Sequence, residues 1–220
     1  TVPIEETVGA MKELVEAGVV VIAAAGNLGK NASGAKVYGQ IHSPGNSPYA
    51  ITVGASNTLG TNVRSDDTMA SYSSRGPTRS FYRVSNGNPV YDNIIKPDLV
   101  APGNKLISHK APNNTMSAAN ALLNLDATNG ADSLMYMSGT SMSAPIVAGA
   151  AAVLLEINPE LTPGMVKMLL QYTAQPLAGY TAFDQGAGQL NLDGAIRLAR
   201  TLKTDAYFQT MSHGSSMVPS

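Results

Sequence analysis

The chain has 220 residues, enough for one domain with a substantial core, and its formal net charge of −1 argues against nucleic acid or an anionic membrane as a partner. It contains no cysteine, which excludes disulfides, thiol catalysis and zinc–thiolate sites, and its three histidines lack metal-binding spacing. The longest apolar run, residues 146–155, is about half a bilayer span, so no membrane span is expected.

The first quarter of the chain predicts a helix followed by two strands. Apolar residues recur on one face of residues 5–17, and Gly18 supplies a C-terminal stop, so an amphipathic helix is expected. Residues 19–27 form a β-branched run that ends in small residues, which is typical of a parallel strand buried on both faces. A second strand is predicted at residues 49–55.

Several stretches lack the periodicity of a helix or a strand. Residues 57–67 are polar and contain glycine, which suits an external turn. Residues 81–92 and 108–133 are rich in Asn, Ser and Ala and are predicted to be surface excursions. Residues 204–220 are polar and rich in Ser and Met, so we expect a mobile tail.

The carboxyl-terminal half predicts helices. Pro145 suits the first turn of a helix, and residues 146–155 are apolar all round, which is typical of a buried helix. This helix is expected to end at Asn158. Three further elements are predicted: a helix capped by Thr162 and ending near residue 172, a short strand at 186–191, and a helix capped by Asp193 that ends near residue 202.

Two polar residues stand at positions where chemistry is possible. Ser141 would lie at the N-terminus of the apolar helix, where backbone amides and the helix dipole favour developing negative charge. Asn27 would lie at the carboxyl end of a parallel strand, where a side-chain amide could donate to an oxyanion. Each also has a plain structural explanation, because Ser is a common helix cap and Gly-Asn is a common turn.

Five motifs in order resemble the subtilisin-like serine proteases, the subtilases, over about residues 8–200. These motifs are residues 23–27 (AAAGN), 43–46 with 49–55 (SPGN, YAITVGA), 72–77 (YSSRGP), 96–103 (KPDLVAPG) and 139–145 (GTSMSAP). Five motifs in the order of the family are far more specific than any one of them. The resemblance implies an α/β fold with a doubly wound, mostly parallel sheet and helices on both faces, lacking its amino-terminal strands.

The resemblance also implies roles for the residues that match it. Ser141 would be the nucleophile that forms the acyl-enzyme, and the Asn27 side chain and the Ser141 N–H would donate to the oxyanion. The Thr140 hydroxyl would assist them. Ala24, Ala25 and Gly26 would form one wall of the pocket for the substrate residue before the scissile bond. His42 either faces this pocket or is an ordinary surface-loop histidine.

The chain departs from the subtilase pattern in one respect. A subtilase carries its triad Asp and a His-Gly-Thr-His segment upstream of the oxyanion asparagine, and neither occurs in the 26 residues before Asn27. His42 belongs to a Pro-Gly loop, His109 to a polar stretch and His213 to the polar tail, so none is assigned as the general base. The chain alone is therefore expected to be almost inert.

The sequence leads to a serine endopeptidase, with residues 1–203 as the carboxyl-terminal part of its catalytic domain. Polypeptide substrates are expected, together with the amino-terminal part of the same domain as a partner, or a dimer that covers the exposed sheet edge. Extracellular location is implied by the resemblance alone. No cofactor is expected: Asp98 matches a weak cation site of some subtilases, but local hydrogen bonding is the predicted role, so structural calcium is not supported.

Two other functions stay open at this point. The first is a pseudoprotease, in which the fold is retained as a binding or scaffold module without hydrolysis. The second is a self-contained esterase or amidase in which His42 or His109 serves Ser141 directly.

Overall fold

A computed structural model describes residues 4–83, 85, 87–125 and 133–202. The predicted tail at 204–220, together with His213, lies outside these residues. The helices are α1 (Ile4–Glu16), α2 (Thr115–Ala119), α3 (Thr140–Ile157), α4 (Pro163–Thr173), α5 (Ala182–Gln185) and α6 (Leu192–Ala199). The strands are β1 (Ile22–Ala24), β2 (Ile51–Asn57), β3 (Thr68–Met69), β4 (Phe81–Arg83), β5 (Pro89–Tyr91), β6 (Leu99–Pro102), β7 (Leu106–His109) and β8 (Leu134–Met137). Short 3₁₀ turns lie at Arg64–Asp66 and Ala121–Leu123.

The central sheet is built around β2, which pairs in parallel with β1 on one side and β6 on the other. The antiparallel strand β3 must share an edge of β2 with β1, since Ser56 pairs with Pro102 of β6 and also with Met69 of β3. The chain thus leaves the sheet after Ala24. Further along the same edge, β2 pairs with β3. This divergence opens a crevice beyond the carboxyl end of β1.

Helices cover both faces of the sheet. On one face Val147 and Leu154 of α3 pack against β2 and β6, and the helices α4 and α6 complete this core. Each aliphatic side chain fully buried there contributes about 1.5–3 kcal/mol. On the other face Met11 of α1 contacts Ala23 and Ala50. The predicted α/β class, with a mostly parallel sheet between helices, is confirmed.

Helix α3 differs from the prediction in two ways. It begins at Thr140, with Gly139 as its N-cap, so Pro145 is its sixth residue and the first-turn assignment was wrong. A proline at this position removes the hydrogen bond that its N–H would otherwise donate to the carbonyl of Ser141. The helix is also not buried all round, because Ala148, Gly149, Ala152 and Val153 are exposed.

This outer face of α3 is apolar. Among the described residues, α3 is long and apolar enough to cross a membrane by length and composition. Its inner face, however, packs on β1, β2 and β6, as the core helix of a sheet-containing domain does.

Other elements refine the predictions from sequence. Helices α1 and α4 form as expected, and Thr162 caps α4 by accepting from the Met165 N–H. The strand predicted at 186–191 is wrong, because Gln189 makes only isolated bridges to Val100 and Gln175. Helix α6 is capped by Asn191, whose side chain accepts from the Gly194 N–H, and not by Asp193.

The two stretches predicted as irregular excursions are each associated with a hairpin. Strands β4 and β5 form a hairpin within residues 81–92, and most of residues 108–133 lies between the paired strands β7 and β8. The side chains of Phe81 and Arg83 in β4 and of all three β5 residues are exposed, so the hydrophobic alternation that marks a half-buried strand is absent from residues 81–92.

Candidate active site

Ser141 lies in the first turn of α3, and its side chain is exposed. Gly139 has a φ of 153°, a backbone conformation that favours glycine, and its N–H donates to the Gly103 carbonyl at 2.9 Å. The Tyr72 hydroxyl donates to the same carbonyl at 2.7 Å, and burial raises the pKa of Tyr72 above its ordinary value. The end of β6 therefore fixes the backbone that carries Ser141.

Gly103 is also required by space. A Cβ built on it would collide with the Ser143 hydroxyl and stand 3.0 Å from the Gly139 carbonyl oxygen. Ser143 in turn donates to the Ala101 carbonyl at 3.0 Å. The first turn of α3 and the end of β6 are thus in direct contact, with no room for a larger residue.

The side chain of Asn27 is held by Thr140. Its Oδ1 accepts from the Thr140 N–H at 2.9 Å and from the Thr140 hydroxyl at 3.1 Å. The hydroxyl itself accepts from the Gly26 N–H at 3.1 Å. A backbone N–H only donates, so these bonds identify the oxygen of the amide, and the Asn27 Nδ2 has no hydrogen-bond partner among the described residues.

Asn27 and Ser141 line one open cavity of about 340 Å³. It lies where β1 leaves the sheet, at the kind of position where α/β proteins bind ligands. The lining residues are Ala24, Gly26, Asn27, Leu28, His42, Ser43, Pro44, Thr140 and Ser141. The structure therefore brings together all the residues selected from the sequence except Ala25.

Ala25 lies behind the cavity wall. Its side chain is fully buried, and its N–H donates to the Val53 carbonyl at 2.9 Å. Its contribution to this wall is through the backbone, since its carbonyl accepts from the His42 N–H at 3.0 Å.

His42 is the histidine that reaches the cavity. A Cβ built on Gly26 would lie 3.0 Å from its Cγ, so the imidazole lies close against Gly26. Within the described part of the chain, no hydrogen bond joins Ser141 to His42 or to His109. His109 is exposed on β7 and does not line the cavity.

Ser74, for which sequence analysis predicted no role, supports the loop that carries Asn27. Its hydroxyl accepts from the Leu28 N–H at 3.0 Å, and its N–H donates to the Gly26 carbonyl at 2.9 Å. Ser74 lies in the motif at residues 72–77, so the motif itself was the available signal. Its partner could not be read from the sequence because it lies 46 residues away.

Asp98 binds lysines. One of its oxygens accepts from Lys96 at 2.6 Å and from the Thr52 N–H at 2.7 Å, and the other lies 3.0 Å from the Lys167 Nζ. Burial lowers the pKa of Lys96 to about 8, although Asp98 opposes that shift. No group of three or more His, Asp or Glu side chains suited to a metal occurs in the described ranges. The absence of a cofactor requirement stays a prediction.

A serine in the first turn of a helix, beside a fixed side-chain amide at the carboxyl end of a parallel strand, is an arrangement typical of serine hydrolases on an α/β fold. Comparison with known families agrees with this arrangement. The family model of the subtilases, Peptidase S8, matches residues 3–190, and the chain belongs to that family.

Relatives agree with this assignment. The chain is 39% identical over 190 residues to the serine protease AprX of Bacillus subtilis, covering 86% of this chain and 38% of AprX. It is 30% identical over 186 residues to the subtilisin-like protease SBT6.1 of Arabidopsis thaliana, covering 82% of this chain and 14% of that protein. The crystal structure of fervidolysin from Fervidobacterium pennivorans, a keratinolytic enzyme related to subtilisin, superimposes with a TM-score of 0.59 at 29% identity. That match covers 86% of this chain and 24% of fervidolysin.

The chain spans less than two-fifths of the length of these three relatives. The family and the fold predicted from the sequence are confirmed. The division into residues 1–203 and a tail stays a prediction, as do the roles of the individual site residues.

Proposed function

We propose that this chain is the nucleophile-bearing part of a serine endopeptidase. The Ser141 hydroxyl attacks the carbonyl carbon of a peptide bond, and a general base takes its proton. The amine leaves with a proton from that same group, and water then hydrolyses the acyl-enzyme. Polypeptides are the substrates, bound in extended form by main-chain hydrogen bonds along a strand edge.

The observation that carries this proposal is the double hydrogen bond from Thr140 to the Asn27 Oδ1. It fixes the amide so that Nδ2 is a donor without a partner in the described part of the molecule, at the cavity that Ser141 lines. An oxyanion formed on attack by Ser141 would accept from this Nδ2 and from the Ser141 backbone N–H. A donor fixed before the reaction stabilises the transition state without a reorganisation cost.

The triad Asp and His are proposed to come from a segment that precedes these residues in the same protein. Four observations support this. No histidine in the described ranges is hydrogen-bonded to Ser141, and the chain is much shorter than its relatives. The outer face of α3 exposes apolar side chains, and the far edge of β1 has no strand paired with it in the described sheet. Exposed apolar faces and unpaired strand edges mark interaction surfaces.

Extracellular location remains a proposal by analogy with the family. No cofactor takes part in the proposed mechanism. A dimer that covers the outer face of α3 is the alternative to an upstream segment, and the mass of the folded species in solution distinguishes the two.

A fluorophosphonate probe, which reacts with activated serines, tests the proposal. We expect it to label Ser141 in the full-length protein and to leave the Ser141→Ala variant unlabelled. Ser33→Ala, which removes a serine from an exposed turn, is the matched control and should label normally. Labelling of the 220-residue chain should require the preceding segment.

Each alternative predicts a different result. A full-length protein that is folded but never labelled would be a pseudoprotease. Strong labelling of the isolated chain, abolished by His42→Gln or His109→Gln, would indicate a self-contained hydrolase. Intact mass spectrometry of the purified protein should be done first, because it shows whether a second peptide accompanies this chain.

A further inference from the structure

We infer that the cavity beside Ser141 selects an acidic side chain, Glu or Asp, in the substrate residue before the scissile bond, and that His42 and Arg79 recognise its carboxylate. This inference rests on the proposed endopeptidase function, because it names the substrate class of the same site. It depends on where His42 lies, on the charges around it and on its unused hydrogen-bonding capacity.

His42 is held in place by its backbone. Its N–H donates to the Ala25 carbonyl at 3.0 Å, and its carbonyl accepts from the Asn46 N–H at 3.1 Å. The ring lies against Gly26, whose φ of 104° and lack of a side chain allow this approach. The backbone of His42 is therefore fixed, and its imidazole forms part of the wall of the cavity that also contains Ser141.

A second cavity of about 420 Å³ adjoins the first through His42 and Ser43, which line both. Arg79 lines this second cavity and is exposed. Its guanidinium carbon lies 5.2 Å from the centre of the Tyr91 ring, and no carboxylate in the described part of the chain forms an ion pair with it. A substrate side chain that extends past His42 would thus approach the Arg79 guanidinium, which no carboxylate among the described residues neutralises.

Among the described residues that line the two cavities, Arg79 is the one side chain with a permanent charge. None of the residues that line either cavity is Asp or Glu, whereas His42 and Arg79 both carry N–H donors. The ring nitrogens of His42 have no hydrogen-bond partner among the described residues. Imidazole and guanidinium groups both bind carboxylates, and the guanidinium does so with two parallel bonds.

Other residues that line the two cavities show which substrate side chains would compete with an acidic one. Ala24, Leu28 and Pro44 give the first cavity an apolar surface that would accept an aromatic side chain. Asn46 lines the second cavity, is buried, and has an Oδ1 without a described partner, so it could accept from a lysine. The absence of any lining carboxylate favours the acidic side chain over these, since lysine would meet two basic groups.

The test uses fluorogenic tetrapeptides that differ only in the residue before the scissile bond, which is Glu, Gln, Phe or Lys. Hydrogen bonds to a charged group are worth about 1.5–3 kcal/mol, so kcat/KM should be at least about tenfold higher for Glu than for Gln. His42→Gln should bring the Glu/Gln ratio close to one, and Arg79→Gln should lower it. His109→Gln, which changes an exposed histidine outside the cavities, should leave the ratio unchanged.

If His42→Gln fails to fold, Arg79→Gln still tests the inference, because Arg79 is a surface residue. Equal cleavage of the Glu and Gln peptides, or a preference for Phe or Lys, would overturn the acidic selectivity and leave the endopeptidase function standing.

Binding separates failure of the inference from failure of the proposed function. Calorimetry with the full-length Ser141→Ala protein measures peptide affinity without hydrolysis. If no peptide is cleaved but the Glu peptide binds at least about tenfold more tightly than the Gln peptide, and His42→Gln removes the difference, the selectivity stands and the catalytic proposal fails. If there is neither cleavage nor selective binding, the inference is wrong.

Discussion

The cavity at Ser141 and the cluster of buried Lys96, buried Asp98 and partly buried Lys167 use polar groups in opposite ways. At the cavity, the Asn27 Nδ2 and the His42 ring nitrogens have no partners among the described residues and face solvent. In the cluster, Lys96 is 1% exposed, and its Nζ donates to the Ala50 carbonyl and to Asp98.

This difference teaches how to separate reactive groups from structural ones. A buried charge is tolerated only when it is paired, so the cluster is expected to contribute to folding and little to chemistry. A fixed donor without a partner contributes little to folding and is available to a substrate. Substitutions at the cavity should therefore change activity, whereas substitutions in the cluster should change stability.

Ser141→Ala should have the largest effect on activity. We expect kcat of the full-length protein to fall by about 10⁶, the size known for removal of the nucleophile from a subtilisin. Stability should change by less than about 0.5 kcal/mol, since the side chain is exposed. Peptide hydrolysis and urea unfolding check the two parts, and a large loss of stability would contradict the separation of roles.

Asp98→Asn should have the largest effect on stability. It leaves two ammonium groups close together, one of them buried, so the free energy of unfolding should fall by about 3–5 kcal/mol. The control is Asp193→Asn, which breaks an exposed ion pair with Arg197 and should cost about 0.3–0.5 kcal/mol. Urea unfolding measures both, and similar losses in the two variants would show that burial does not distinguish these pairs.

Asn27→Ala should lower kcat by about 10²–10³, a magnitude taken from removal of the equivalent donor in a subtilisin. KM should change little, because the bond to the oxyanion forms only in the transition state. Steady-state kinetics on the full-length protein gives both constants. A rise in KM at constant kcat would mean that Asn27 binds substrate and does not stabilise the oxyanion.

Lys96 should give the smallest effect, a change of stability with pH. Its pKa in the fold is about 8, below its ordinary value of 10.5, so between these limits the unfolded chain holds a proton that the folded chain has lost. The contribution of this group to stability should therefore rise with pH across that window, by up to about 1.4 kcal/mol per pH unit. Lys96→Met should remove the rise seen in urea unfolding, whereas Lys12→Met, at an exposed position in α1, should keep it.

Much of the local structure could be predicted because it depends on residues close together in the chain. Thr162 and Pro163 start α4 as their types require. Predictions based on residues adjacent in the sequence failed where residues distant in the sequence decide the local structure. Gln189 lies in an apparent strand but makes only two single bridges, because the adjacent glycine turns the backbone against Gln175.

The candidate site shows the same division. Asn27 and Ser141 were identified from their motifs, but the bonds between Asn27 and Thr140 join residues 113 positions apart. The position of His42 could not be decided from its Pro-Gly loop. It became clear only when its ring was found against Gly26.

The sequence by itself determined the family, the candidate nucleophile and the helix that carries it, because motifs and helix signals are local properties of the chain. Only the tertiary structure decided which face of α3 is covered, how Asn27 is held and which side chains line the cavity. These depend on contacts between β1, β2, β6 and α3, and such contacts exist only after distant segments have packed together.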